Sequence, residues 1–308
     1  WAPRKNVVYK KELITSLGKP YIAEYSTNSL GMRYVQGSVN SENRTTQNLK
    51  VLILGDSCTG DLTSSDQSSW FSVLHRETPS ADFYVYGIGG SGTYQQYLAF
   101  KEISKSMQFD VLIIQHASND PLNDSYASSF DSYTWNQDLR RPYFVEGKTI
   151  YRDDLASKIY NFVYNNSYLY QRLDVNVQAH MYQSRLKKDT IPKASIDDIY
   201  DWKRNYTFLV NSARSSGVAK VASVSCSLKS EDPVAYQAWL DASYSLGVPT
   251  FNSMAENVKL RASMGDDVYF QDGGHFNNLG GLIAGEMLAK EMHDSGFWLD
   301  QNVSAMSD

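Results

Sequence analysis

Val51-Leu52-Ile53-Leu54-Gly55-Asp56-Ser57 is the stretch that decides the fold. Four consecutive aliphatic residues have the length of a buried strand and are far too few for a membrane helix. The run ends in Gly-Asp-Ser, a turn that leads toward a helix. Gly55 lets the backbone bend sharply, so the turn presents the Ser57 hydroxyl at the end of the strand.

Working outward, four more apolar runs follow: Phe83–Tyr86, Val111–Ile114, Val218–Val224 and Val248–Phe251. Gly, Ser, Asp or Asn bounds each of them. Between them lie segments of helical period. Asp66 is expected to cap a helix carrying Trp70, Val73 and Leu74. Ile199, Trp202, Tyr206, Leu209 and Ala213 form a core-facing stripe after a start signal at Pro192 and Ser195. Leu279, Ile283 and Met287 form another, with Asn277 or Asn278 as cap. Strands alternating with helices predict an α/β protein: a three-layer α/β/α sandwich around a mainly parallel five-stranded sheet.

One domain is expected over residues 1–308. Residues 1–46 are polar, with short alternating stretches, and read as an irregular or β-rich arm. Residues 121–195 are rich in tyrosine, from Tyr126 to Tyr182, with a helix expected over about Asp154 to Tyr170. This insertion sits between the third and fourth strands, where loops line the ligand crevice of open α/β sheets, so it is a candidate lid or substrate-recognition element.

The chain carries a net charge of −5 and no basic cluster, which argues against nucleic acid as a partner. No segment approaches the length of a membrane span. Cys58 and Cys226 make neither a metal-spacing pattern nor a disulfide framework, and Cys58 reads as a small apolar residue packing at a helix start. The two cysteines are compatible with an oxidising compartment without requiring one. The chain opens on Trp1, which suggests that a signal peptide or membrane anchor has been removed. Five Asn-x-Ser/Thr triplets occur, at Asn43, Asn123, Asn165, Asn205 and Asn302, a frequency that chance explains in so Ser/Asn-rich a sequence.

Four short motifs offer complementary chemistry. The Ser57 hydroxyl needs a base, and the base needs an orienting carboxylate. Asp272-Gly273-Gly274-His275 supplies both within one tight turn, leaving Nε2 to face Ser57. Of the five histidines, His75 and His293 read as surface residues of helices, and His180 lies in the insertion. His116 follows the third strand without an aspartate paired to it at short range. Gly87-Ile88-Gly89-Gly90-Ser91-Gly92-Thr93-Tyr94-Gln95 follows the second strand and can offer a backbone N–H to an oxyanion. No Lys-Ser/Thr follows it and it does not follow the first strand, which argues against a nucleotide-binding loop. Ala117-Ser118-Asn119-Asp120 follows the third strand and can offer the Asn119 amide. Each motif alone is an ordinary turn. Together they assemble a nucleophile, a base with its orienter and two oxyanion donors on one sheet edge.

Over residues 26–120 and 205–292 these motifs resemble those of the SGNH hydrolase superfamily, the GDSL esterases. The resemblance implies a flavodoxin-like SGNH fold. It also implies a triad of Ser57, Asp272 and His275, with an oxyanion hole made by Ser57 N–H, Gly90 N–H and the Asn119 amide. Gly89 or Gly92 are alternatives to Gly90. Ala117 stands where the family usually has glycine. Asn28-Ser29-Leu30-Gly31-Met32-Arg33 resembles a stretch in exported bacterial members, which often accompany exopolysaccharide clusters and carry an N-terminal anchor. An extracytoplasmic location, periplasmic or secreted, is the corresponding expectation.

The expected activity is a serine-dependent ester hydrolase acting on O-acyl groups, O-acetyl esters of carbohydrate foremost. No metal or organic cofactor is expected. The substrate partner is a small-molecule or polysaccharide ester. A polysaccharide O-acetyltransferase would use the same triad. A non-catalytic carbohydrate-binding module on the same fold is the alternative from another class.

Overall fold

The computed structural model describes residues 5–38, 48–126, 142–150 and 193–298, together with Ser167. The helix expected near Asp154 to Tyr170, most of the Tyr-rich insertion and His180 lie outside the described residues.

The central sheet contains β3 (Leu49–Gly55), β4 (Ala81–Gly87), β5 (Val111–His116), β8 (Lys220–Ser225) and β9 (Thr250–Phe251), in the spatial order β4-β3-β5-β8-β9. Every pairing in it is parallel. It is preceded by a hairpin, β1 (Val8–Ile14) with β2 (Pro20–Ser26). A second small hairpin pairs β6 (Tyr143–Val145) with β7 (Lys148–Ile150). The helices are α1 (Ser57–Gly60), α2 (Trp70–Glu77), α3 (Thr93–Ile103), α4 (Asp120–Asp124), α5 (Ile196–Ser215), α6 (Pro233–Ser245), α7 (Ser253–Ser263) and α8 (Asn278–Asp294).

Two cores, one on each face of the sheet, explain why the strands are apolar throughout. Val51 and Ile53 point into a cluster with Trp70, Phe71 and Leu74 of α2, Val258 of α7 and Leu288 of α8. Their neighbours Leu52 and Leu54 point the other way, against Trp202 and Tyr206 of α5 and Trp239 of α6. A strand buried on both faces loses the polar alternation of a half-exposed one. Each fully buried aliphatic side chain contributes about 1.5–3 kcal/mol relative to exposure. This is the three-layer α/β/α sandwich expected from the sequence.

Several local expectations are corrected. Ser69, not Asp66, precedes α2 as its cap. Asp66 instead accepts hydrogen bonds from Ser26 and binds Arg33 at 3.1 Å. The fifth strand shrinks to Thr250–Phe251, because Pro249 has no N–H for the ladder and contributes only its carbonyl, to Ser223 N. In α8, Ile283 and Met287 join the core, whereas Leu279 is exposed at the first turn. Asn277 caps this helix, accepting from Leu279 N and Gly280 N. Ser195 caps α5 in a capping box with Asp198, and the stripe from Ile199 to Ala213 is buried as the spacing predicts.

The N-terminal arm braces the segment before Asp272. Thr15 pairs with Phe270 in an antiparallel bridge. Ser16 N donates to Tyr269 O and Gln271 N donates to Ile14 O, each at 3.0 Å. The hairpin thus adds backbone hydrogen bonds to the loop that carries Asp272 and His275. No helix among the described residues is long and apolar enough to cross a membrane.

Candidate active site

The site is built where β3, β4 and β5 end. Gly55 closes β3, and a side chain there would collide with Thr59 and with the Gln115 amide of β5. Only glycine permits that approach. Asp56 follows, and its carboxylate accepts from Cys58 N at 3.0 Å, capping the short α1. Ser57 Oγ donates to Asp56 Oδ2 at 3.3 Å.

Asp272 and His275, the orienter and base expected from the sequence, form a closed pair. His275 Nδ1 lies 2.5 Å from Asp272 Oδ2. Asp272 Oδ1 accepts from Gly274 N at 2.9 Å and His275 N at 3.0 Å. This wrapping needs the left-handed backbone of Gly273, φ 73°. Burial works against charge on both groups. It is outweighed at Asp272 by hydrogen bonds and by the imidazole, which hold its carboxyl below the usual range. At His275 it is outweighed by the Asp272 hydrogen bond and by the carboxylates of Asp272, Asp56 and Asp61, which raise the imidazole. His275 is about one-third exposed (35%), and Asp272 is covered. No hydrogen bond joins Ser57 Oγ to His275 Nε2 in this conformation.

Of the three candidate oxyanion glycines, one is set apart. Gly92 N donates to Gln95 Oε1 at 2.6 Å and is already committed. Gly89 approaches Ser57 closely: a Cβ on it would lie 3.8 Å from Ser57 Cβ. Gly90 is its neighbour in the same turn, closed by Ser91 N to Ile88 O. Asn119 precedes α4, is half-buried, and its side chain caps nothing. The substituted Ala117 is buried, and its N–H donates to Asp120 Oδ2 at 2.9 Å, so the methyl is accommodated.

His116 departs from expectation. Its Nδ1 lies 3.4 Å from Asp120 Oδ2, so an aspartate does face it, four residues on. The pair is fully buried, with His116 stacked on Trp239 at 5.4 Å. Burial drives the imidazole down to about 3 and the carboxyl of Asp120 well above the usual range. Burial thus disfavours charge on both, and they form a packing pair under the Asn119 loop. His75 is likewise no surface residue: it is buried, with Nδ1 2.9 Å from Ala81 O. His293 is exposed, as expected. Asn123 and Asn205 are completely buried, which removes two of the sugar-acceptor triplets from consideration.

Four features escape the sequence. Cys58 and Cys226 form a disulfide with Cα atoms 6.6 Å apart, so Cys58 is not simply a packed thiol. The tightest group of metal-type side chains among the described residues, Asp56, Cys58 and Cys226, has its two sulfurs joined to each other. Gln115 is fully buried beneath the turn. Its Oε1 accepts from Asp56 N at 3.1 Å and Thr59 Oγ1 at 3.0 Å, and its Nε2 lies 3.1 Å from Cys226 Sγ. Arg33, buried between Tyr25 and Phe71, donates to the carbonyls of Gly60 and Asp61 and holds the end of α1. Asp61 is buried in a left-handed conformation, and burial pushes its carboxyl up to about 6. For Gln115 the available signal was a polar residue directly after the apolar run Val111–Ile114 within a buried strand.

No family model and no curated protein matches the sequence. Among solved structures, the fold is similar to a member of the lipolytic protein G-D-S-L family from Veillonella parvula, at 10% identity and TM-score 0.47, covering 78% of this chain and 96% of that one. It is similar to the psychrotrophic esterase EstA from Pseudoalteromonas sp., at 12% identity and TM-score 0.46, covering 80% and 96%. An acetyl xylan esterase, AlAXEase, aligns at 12% identity and TM-score 0.45, covering 80% and 99%. The solved structures this chain resembles include G-D-S-L-type lipolytic proteins and esterases.

Proposed function

We propose that the chain is a serine-dependent ester hydrolase, with Ser57 as nucleophile, His275 as general base and Asp272 as its orienter. The observation that carries this is the 2.5 Å contact between His275 Nδ1 and Asp272 Oδ2, with Nε2 left unpaired and the imidazole partly open to solvent. A carboxylate on Nδ1 fixes the tautomer whose Nε2 accepts a proton.

In the proposed reaction the Ser57 hydroxyl leaves Asp56 Oδ2 and gives its proton to His275 Nε2 as Oγ attacks the ester carbonyl. The negative charge on the carbonyl oxygen is met by Ser57 N–H, by Gly90 N–H and by the Asn119 amide. His275 then protonates the departing alcohol, and water releases the acyl group from Ser57 by the same steps in reverse. The substrate class implied by the sequence resemblance is an O-acyl, in particular O-acetyl, ester of carbohydrate. The Cys58–Cys226 disulfide supports an oxidising, extracytoplasmic setting.

Hydrolysis of 4-nitrophenyl acetate by the intact chain, compared with Ser57→Ala, tests the assignment. Turnover that disappears in Ser57→Ala is expected. Equal rates for the two proteins would remove Ser57 from the chemistry.

A further inference from the structure

A cleft of about 420 Å³ opens beside the catalytic turn. That volume lies within the range of about 300–1,000 Å³ typical of small-molecule sites. One wall is Gly273 and Gly274, the two residues between Asp272 and His275. Another is Cys226, whose sulfur is bonded to the residue after Ser57. The cleft therefore borders the turn between Asp272 and His275, and the disulfide ties its opposite wall to the residue after Ser57. Tyr269 and Phe276 supply apolar surface, with Leu228 and Ala255 beside them, and Glu231 and Lys259 stand exposed at the rim.

The direction of the proposed chemistry assigns a role to this side. His275 must hand a proton to the leaving oxygen, so the alcohol portion of the ester departs on the imidazole's side of Ser57. The oxyanion donors, Gly90 and Asn119, follow β4 and β5. The cleft instead lies between the loop after β8, helix α7 and the His275 turn.

The chemistry of the walls selects the alcohol. A long acyl chain requires a lining without charge, and burying its methylenes against Glu231 and Lys259 would strip water from two ions at a cost. A sugar ring offers an apolar face and a rim of hydroxyls. The Tyr269 ring supplies the flat apolar surface for the first. The Glu231 carboxylate accepts, and the Lys259 ammonium donates, hydrogen bonds to the second. Glu231 is already a hydroxyl partner within the protein, accepting from Ser118 Oγ at 3.3 Å, one residue before Asn119. The phenol of Tyr269 is raised to about 12 by burial and by the Glu231 charge, so the ring and the carboxylate share one environment.

We propose that this cleft is the subsite for the alcohol portion of the ester, and that it accepts a sugar ring packed on Tyr269 with hydroxyls bonded to Glu231 and Lys259. Its place in the reaction rests on the ester-hydrolase assignment; its capacity to bind saccharide does not.

Binding is therefore measured apart from turnover. Xylo-, cello- and chito-tetraose are titrated calorimetrically into Ser57→Ala, and into the same protein carrying Glu231→Gln, Lys259→Ala or Tyr269→Ala. Glu231→Gln and Lys259→Ala change exposed side chains and keep the fold testable if Tyr269→Ala does not. Saturable binding of at least one tetraose is expected, weakened at least tenfold by each substitution. On an O-acetylated form of that saccharide, each substitution in the Ser57 protein is expected to lower kcat/KM at least tenfold relative to its kcat/KM for 4-nitrophenyl acetate. Absence of saccharide binding, or binding that the three substitutions leave unchanged, would overturn the subsite. Binding that depends on these residues in a protein without esterase activity would keep the subsite and overturn the hydrolase.

Discussion

Cys226, at the end of β8, is bonded to Cys58, the residue after the proposed nucleophile, and the bond passes over the end of β5. Beneath it, Gln115 of β5 bridges the same two segments: its side-chain carbonyl takes the Asp56 N–H and its amide meets the Cys226 sulfur. The Ser57 turn is thereby fastened to two strands besides the one it grows from. A serine nucleophile gains from such fixing because misplacement by about 1 Å can cost about a hundredfold in rate.

Removal of this bond should cost stability first. The cysteines are 168 residues apart, and opening so long a loop frees the unfolded chain. The Cys58→Ser, Cys226→Ser double variant should lose about 2–5 kcal/mol in a urea unfolding experiment. Thiol reductant should lower the Tm of the wild type toward that of the variant and leave the variant unaffected. A wild type indifferent to reductant would contradict this.

Gln115 should act as a positioning residue. Gln115→Leu fills a similar volume but leaves the Asp56 N–H and Thr59 hydroxyl unpaired, at about 1–3 kcal/mol for each buried group. The proposed nucleophile turn should loosen, lowering kcat with little change in KM. Gln115→Glu keeps an acceptor for both donors and should recover part of kcat. A loss of Tm without any change in kcat would reduce Gln115 to a packing role.

The strands were legible because each is buried on both faces, which leaves an uninterrupted apolar run such as Val51 to Leu54. The Asp272–His275 pair was legible because a tight turn brings residues three apart together whatever the rest of the fold does. Contacts between distant segments were not. Cys58 and Cys226 meet only because β5 alone separates β3 from β8, an order that no local pattern encodes. Asp66 was misassigned as a cap because its partner, Arg33, comes from the arm. His116 and Asp120 looked unpaired because the turn that closes β5 folds the aspartate back over the imidazole.

The pH dependence follows from the imidazole. His275 must be neutral to take a proton, and Asp272, Asp56 and Asp61 raise it above the ordinary 6.5. Activity should fall as pH drops through the raised value, so the acid limb of kcat/KM should have its midpoint above 6.5. Asp272→Asn removes the largest favourable contribution. Its acid limb should move to lower pH, with kcat reduced by about 10³–10⁴. An acid limb that stays in place in Asp272→Asn would detach the carboxylate from the base.

The Asn119 amide is assigned to the developing oxyanion. Asn119→Ala should lower kcat by about 10²–10³, roughly 3–4 kcal/mol, while KM and Tm stay near their wild-type values. The side chain caps nothing, so a large fall in Tm would point to a structural role instead.

The central claim is that Ser57 is made nucleophilic by His275. A fluorophosphonate probe tests it most directly, with the labelled residue located by peptide mass spectrometry. The account predicts a single adduct on Ser57, formed by the native protein and suppressed in His275→Ala. An adduct on another residue, or labelling of Ser57 at an equal rate in His275→Ala, would contradict it.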